Sequence, residues 1–340
     1  MRKSCCSQTA PSNDNPITQE IIDVRATQRA MTKLLFDQDE HLKDFKARYE
    51  LRSASNRGDL DSIRKLINKV PDINTTDTSH KTALYWAAQG RQTDAARLLL
   101  DQGADPNIPS DEGKTPLWEA CYQGDSQTAE ILIDHGADPQ IADSIDQLTP
   151  LHWAVRKNHL RLVRILLESK KADPNMRNLR GDTPLHWAVR KDYRPITELL
   201  LDNKADPNRK DCHGNTPLYW ASCKGDTDLV NRLLEQGADV NIQNRHGATA
   251  LHGASFKRFQ KVIVLLLDRD ADPNIKMTSG MTPLHFAADH GDLPMVNALL
   301  THAADPNAHN IHGDGPLTYA SSKRYEPVMR LLLEHGAHIP

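Results

Sequence analysis

The sequence is short of aromatic residues, of any charge excess and of long apolar runs, and each shortage removes a class of protein. Aromatic side chains make up only 5% of the 340 residues, which suits a thin structure with small interior residues better than a thick globular core. Lys and Arg number 42 against 45 Asp and Glu, a net charge of -3. A dedicated nucleic-acid binder usually carries a clear basic excess, so no nucleic-acid partner is expected. The five cysteines (Cys5, Cys6, Cys121, Cys212, Cys223) form no pair of Cys-x-x-Cys motifs. No metal site follows from them, and reduced thiols in a cytoplasmic chain are the expectation, with nuclear or secreted-effector delivery left open. The longest strongly apolar stretch, Val262 to Leu267, is far short of a membrane span. Met1-Arg2-Lys3 is basic, but no apolar run follows in residues 4–15, so no secretory signal is read. The nucleophile-elbow, phosphate-loop and His-Glu-x-x-His motifs are all missing, and neither catalysis nor a cofactor is expected.

What is present is a repeat. Thr-Ala-Leu-Tyr begins at Thr82, Thr-Pro-Leu-Trp at Thr115 and Thr-Pro-Leu-His at Thr149; the series continues at Thr183, Thr216, Thr249, Thr282 and Gly315. The steps are 33, 34, 34, 33, 33, 33 and 33 residues. A second motif follows in phase, as Gly-Ala-Asp-Pro-Asn at Gly103 and Lys-Ala-Asp-Pro-Asn at Lys171 and Lys204, with Leu-Leu pairs such as Leu166-Leu167 between. Chance does not keep two motifs in phase over eight units.

Elementary physics assigns each part. Thr183 is placed to cap a helix with its hydroxyl. Pro184 takes the first helical position, where its missing N–H is harmless. Leu185, Ala188 and Val189 give that helix an apolar face. A second helix from about Pro195 to Asp202 points Ile196, Leu199 and Leu200 inward. Glycines at Gly103, Gly136, Gly237 and Gly336 are expected to stop second helices in the left-handed conformation. Asp-Pro-Asn then breaks the chain into a turn.

The unit resembles the ankyrin repeat, whose Thr-Pro-Leu-His-x-Ala signature stands here as Thr149-Pro150-Leu151-His152-Trp153-Ala154 and Thr183-Pro184-Leu185-His186-Trp187-Ala188. The resemblance implies an all-α repeat solenoid of stacked helix-turn-helix units, with β-turn fingers and a concave groove for a protein partner. Eight such units cover 78–340, and a degenerate capping unit occupies 48–77. The resemblance also implies that Thr115, Thr149, Thr183, Thr216, Thr249 and Thr282, with His152, His186, His252 and His285, are structural: each histidine bonds its own threonine and neighbouring backbone. As metal ligands these histidines would lie about 10 Å apart, too far for one ion. Asp105, Asp138, Asp173 and Asp206 are likewise turn residues. The glycine between the paired helices is read at Gly90, Gly124, Gly225 and Gly291, with Asn158, Asp192, Arg258 and Arg324 at the matching positions. Arginine in the left-handed region costs about 1 kcal/mol. Repeat eight lacks the capping Thr and the His, and Leu331-Leu332-Leu333 is expected to fray or be covered.

Residues 1–15 are poor in apolar side chains and are expected to be disordered. Over 16–47 a heptad stripe, apolar except at Gln28 and Gln38, runs through Ile17, Ile21, Val24, Gln28, Met31, Leu35, Gln38, Leu42 and Phe45 and reaches Tyr49. Its steps of three and four place it on one helix face. The stripe either packs on the first repeat as a lid or forms a short coiled coil, so a monomer is expected with a homodimer through 17–49 as the alternative.

Two further columns are specific to this chain. Trp86, Trp153, Trp187 and Trp220 share one repeat position that Phe286 and Tyr319 continue, and they form either a packing ladder or an aromatic floor. Cations recur at the ends of the first helices: Arg156, Lys157, Arg190, Lys191, Lys224, Lys257, Arg258, Lys323 and Arg324. They either complement the helix dipoles or form a ridge that meets an acidic partner. The first reading of function is a protein-binding module or adaptor. The alternative is a scaffold recruited to a membrane through lipidated Cys5 and Cys6, with the ridge on anionic lipid.

Overall fold

A computed structural model describes residues 40–338, with side chains from residue 43. Among these residues every regular element is an α-helix. Two come first among them, α1 (Glu40–Arg57) and α2 (Leu60–Ile67). Eight pairs follow: α3 (Ala83–Gln89) with α4 (Thr93–Asp101), α5 (Pro116–Gln123) with α6 (Ser126–Asp134), α7 (Pro150–Arg156) with α8 (Leu160–Glu168), and α9 (Pro184–Lys191) with α10 (Arg194–Asp202). The rest are α11 (Pro217–Lys224) with α12 (Thr227–Glu235), α13 (Ala250–Lys257) with α14 (Gln260–Leu267), α15 (Pro283–His290) with α16 (Leu293–Thr301), and α17 (Pro316–Ser322) with α18 (Glu326–Glu334). First helices pack on first helices and second on second, in two layers.

Two columns explain the stacking. Ala87, Ala120, Ala154, Ala188, Ala221, Ala254, Ala287 and Ala320 hold one position in successive first helices, and each is 0% exposed. Only a methyl group separates neighbouring backbones there. Leu99, Leu132, Leu166, Leu200, Leu233, Leu266, Leu299 and Leu332 do the same in the second helices, also at 0%. Truncating any of these leucines would cost about 2–5 kcal/mol.

Capping follows the motif. The hydroxyls of Thr82, Thr115 and Thr216 accept from the N–H of Tyr85, Trp118 and Tyr219 at 3.1, 3.1 and 3.2 Å. Thr149, Thr183, Thr249 and Thr282 each share a reciprocal capping box with the histidine three residues on. The turns join repeats through backbone bonds such as Cys212 N–H to Arg180 O, 2.7 Å, and Arg245 N–H to His213 O, 2.9 Å. Asparagines add a second seam: the Asn107, Asn175 and Asn208 carboxamide oxygens each accept the N–H of the aspartate 31 positions on, at 2.7 Å. Asp105, Asp138, Asp173 and Asp206 accept from the backbone two residues ahead, at 2.8 to 2.9 Å, so they are turn residues.

Three expectations change. The left-handed residue between α3 and α4 is Arg91 (φ 56), not Gly90 (φ -77). Gly90 is needed for closeness instead, since a Cβ there would lie 2.2 Å from the Asn56 carbonyl oxygen. The other positions follow the expectation, from Arg324 at φ 57 to Gly124 at φ 78. The boundary at 47/48 falls inside α1, which is one helix serving as the inner half of the cap. It packs through Leu51 and through Ala47 and Ala54, whose small side chains admit α3 closely, while Phe45 and Tyr49 are 53% and 46% exposed. Of the stripe's other residues, Leu42 lies in α1, and the remainder, with Cys5 and Cys6, lies outside the described residues. At the far end Leu332 is buried and Leu331 half-buried, so only Leu333 of that triplet faces outward.

Candidate functional site

Counted from the capping threonine, helix positions four, seven and eight share one face. That spacing collects Trp153, Arg156 and Lys157 in repeat three, Trp187, Arg190 and Lys191 in repeat four, and Trp220, Cys223 and Lys224 in repeat five. Across repeats the two columns read from sequence become one structure. The Arg156 guanidinium carbon lies 4.7 Å from the Trp153 ring centroid and 5.2 Å from that of Trp187. Arg190 lies 5.2 Å from Trp187 and 5.6 Å from Trp220. The order along the face is Trp153, Arg156, Trp187, Arg190, Trp220. Only Arg presents a flat, weakly hydrated ion that fits between two indoles. The tryptophans of this column are thus half-buried plates spaced by arginine rather than a continuous ring ladder. Direct ring packing occurs at the start, where Trp118 and Tyr122 meet Trp153, each with centroids 5.1 Å away.

Carboxylates from the turns, buried at Asp143 and Asp211, fix the plates. Trp86 donates its indole N–H to Asp77 at 2.9 Å, Trp118 and Trp153 both donate to Asp143 at 3.1 and 3.3 Å, and Trp220 donates to Asp211 at 3.0 Å. Burial pushes the Asp211 carboxyl up, but hydrogen bonds from Asn215, Trp220 and His213 outweigh it and hold the carboxyl below its ordinary value. Repeat four differs. Asn178 replaces the aspartate, the Trp187 N–H is buried without a partner among the described residues, and Arg190 pairs with buried Asp182 at 2.7 Å.

The remaining cations fall into two groups. Lys224 reaches back to the carbonyls of Val189 and Arg190, and Lys323 to the carbonyl of Asp289 at 2.8 Å and its carboxylate at 2.6 Å. Both satisfy the exposed end of the preceding first helix. Arg258 adopts φ 64 and pairs with Asp292 at 3.4 Å. By contrast Lys157 sits over the Tyr122 ring at 4.5 Å and Lys257 over Phe256 at 5.4 Å. Lys191 and Arg324 are exposed and make no ion pair among the described residues.

A feature missed in the sequence stands beside them. The fingertips of repeats four and six expose Arg180 and Arg245, and those of repeats five and six expose His213 and His246. Repeat two instead exposes Asp111 and Glu112. Helix positions four, seven and eight of repeats three to six carry no carboxylate, and the fingertips of these repeats carry buried Asp143, Asp182 and Asp211 and exposed Asp146. Charges at a fixed offset ahead of each threonine were the available signal; alignment on the helix motif alone hid them.

The histidines behave as structural groups. His152 Nδ1 accepts the Thr149 N–H at 3.3 Å, so the proton sits on Nε2, which donates to the Asp182 carbonyl of the next repeat at 3.2 Å. His186, His252 and His285 repeat this with the carbonyls of Asn215, Met281 and Asp314. Burial pushes all four imidazoles down, His152 and His252 to about 4. Among the described residues no group of His, Cys, Asp or Glu could hold a metal ion, and no helix is long and apolar enough to cross a membrane. A family model described as ankyrin repeats (3 copies) matches residues 51–143, 140–211, 205–277 and 270–340. No curated protein matches the chain.

Proposed function

The chain belongs to the ankyrin-repeat family, whose members are generally protein–protein interaction modules and typically not enzymes, and from that premise we propose that its inner face over repeats three to six binds an acidic segment of another protein. The observation that carries this reading is the placement of Arg156 and Lys157 on ring faces instead of carboxylates. A cation held by an aromatic ring keeps its full charge and can turn its N–H edge toward a partner. Trp, Tyr and Arg are also the residues that concentrate binding energy at interfaces. The exposed fingertips Arg180 and Arg245 extend the same sign of charge along the neighbouring rim. Such a field speeds encounter more than it tightens the complex.

The test is association kinetics on an immobilised polyglutamate peptide, comparing the wild type with Lys157→Glu/Lys191→Glu. The variant should associate about tenfold more slowly at low salt and lose most of its salt dependence. An unchanged rate and slope would leave the cations as helix-end decoration. Arg190 is unsuitable for reversal because a glutamate there would face buried Asp182 and unfold the repeat rather than test the surface.

A further inference from the structure

The spacing of the inner-face cations carries information about the partner's backbone. Lys157, Lys191, Lys224 and Lys257 occupy the same position in four consecutive repeats, Lys224 keeping its charge while it bonds the neutral carbonyls of Val189 and Arg190, and the column ends at His290 in the fifth. Arg156 and Arg190 each lie 5.2 Å from the Trp187 centroid, and successive first helices pack directly, so one repeat advances the surface by about 10 Å, the usual spacing of packed helices. Aromatic plates recur at one helix position in three consecutive repeats, at Trp153, Trp187 and Trp220.

A polyproline-II segment makes one turn in three residues and about 9 Å. Its residues i, i+3 and i+6 therefore share one edge at nearly the repeat pitch. A β-strand cannot match, because its side chains alternate and i and i+3 point to opposite faces. An α-helix returns to the same face at about 10 Å only every seven residues. Aromatic-lined grooves are a surface on which the preformed polyproline-II conformation docks at low entropic cost.

We propose that the segment bound by this face is a polyproline-II stretch of about ten residues with a carboxylate at every third position, one for each repeat from three to six. The inference rests on the reading of the inner face as an acidic-segment site and adds its register. The mismatch of under about 1 Å per turn is absorbed by the flexible lysine stems over four repeats. The run of lysines at this helix position, from Lys157 to Lys257, sets that length.

Fluorescence anisotropy with the full chain tests the register. One labelled peptide of about twelve residues carries Glu at every third position among prolines, and a second has the same composition with the glutamates in one block. A third is an alanine-rich helix with Glu at every seventh residue, and a fourth probe is an oligothymidylate. The periodic peptide should bind at least about tenfold more tightly than each other probe, and Lys191→Gln should weaken it more than it weakens the block peptide. Block and periodic peptides within about twofold of each other would overturn the register while leaving the acidic-segment site standing. Tighter binding of the helical peptide or the oligothymidylate would overturn the polyproline-II geometry. Failure of every acidic peptide at low salt would remove the underlying site as well.

Discussion

Repeats three to five and repeats six to eight are built on one backbone plan, yet their inner faces differ in what holds the cations. In the first group Trp153, Trp187 and Trp220 stand at the same helix position, and Arg156 lies between two of them with no carboxylate partner. In the second group that position holds Gly253, Phe286 and Tyr319. There Arg258 is paired with Asp292 and Lys323 with Asp289. The difference teaches that a recurring cation in the sequence is not a recurring charge on the surface. A ring under the cation leaves its field intact, whereas a carboxylate cancels it. The proposed interaction surface therefore covers repeats three to six, where Lys257 also lies on a ring, although the cation column reads as nearly continuous.

The largest expected effect is one in which the two regions should agree. His152 in the first region and His252 in the second are buried and neutral, with imidazoles near 4 against about 6.5 in an unfolded chain. Their contribution is intact above about pH 6.5 and is lost as pH falls toward 4, because only the unfolded chain takes up the protons. Each buried imidazole should lower stability by about 3 kcal/mol across that window. Urea unfolding between pH 7 and 4.5 measures it, and a flat profile would contradict the burial of these rings.

Next in size is a pair of truncations that should separate the regions. Trp187→Ala and Phe286→Ala should each cost about 3 kcal/mol of stability in urea melts. Only Trp187→Ala also removes the plate shared by Arg156 and Arg190, so only it should weaken acidic-peptide binding. Equal binding losses would erase the distinction.

The smallest effect concerns the backbone. The central group uses Asn158 and Asp192 in the left-handed position, and the distal group uses Arg258 and Arg324. Arg324→Gly should raise stability by about 1 kcal/mol. Arg258→Gly should gain less, since it strands Asp292. Amide exchange in wild type should be faster over 315–338 than in repeats two to five, and Arg324→Gly should narrow that gap.

The fold was legible because its signals are local: a capping threonine, a proline at the first turn and a leucine pair lie within one repeat. The histidine network was legible only through the family resemblance that Thr149 and His152 carry, since its second bond crosses to the next repeat. Errors arose where the deciding contact lies elsewhere. Gly90 reads as a left-handed turn residue, but the carbonyl of Asn56 is what requires it, and Arg91 takes the positive φ. Phe45 and Tyr49 continue an apolar stripe, but Ala47 and Ala54 allow a closer approach to α3 and set the packed face of α1. The site was half legible. Trp153 and Arg156 are three residues apart on one helix, which a helical-wheel reading shows. The insertion of Arg156 against Trp187 spans a repeat boundary and has no local signature.

The direct test of the central claim compares two double reversals on one acidic peptide, Lys157→Glu/Lys191→Glu in the central repeats and Lys323→Glu/Arg324→Glu in the last. Association rate against salt concentration should fall about tenfold and flatten for the central pair, and stay at the wild-type value for the distal pair. Equal slowing by both pairs would mean that the peptide senses only net charge, and the stacked central surface would have no special role.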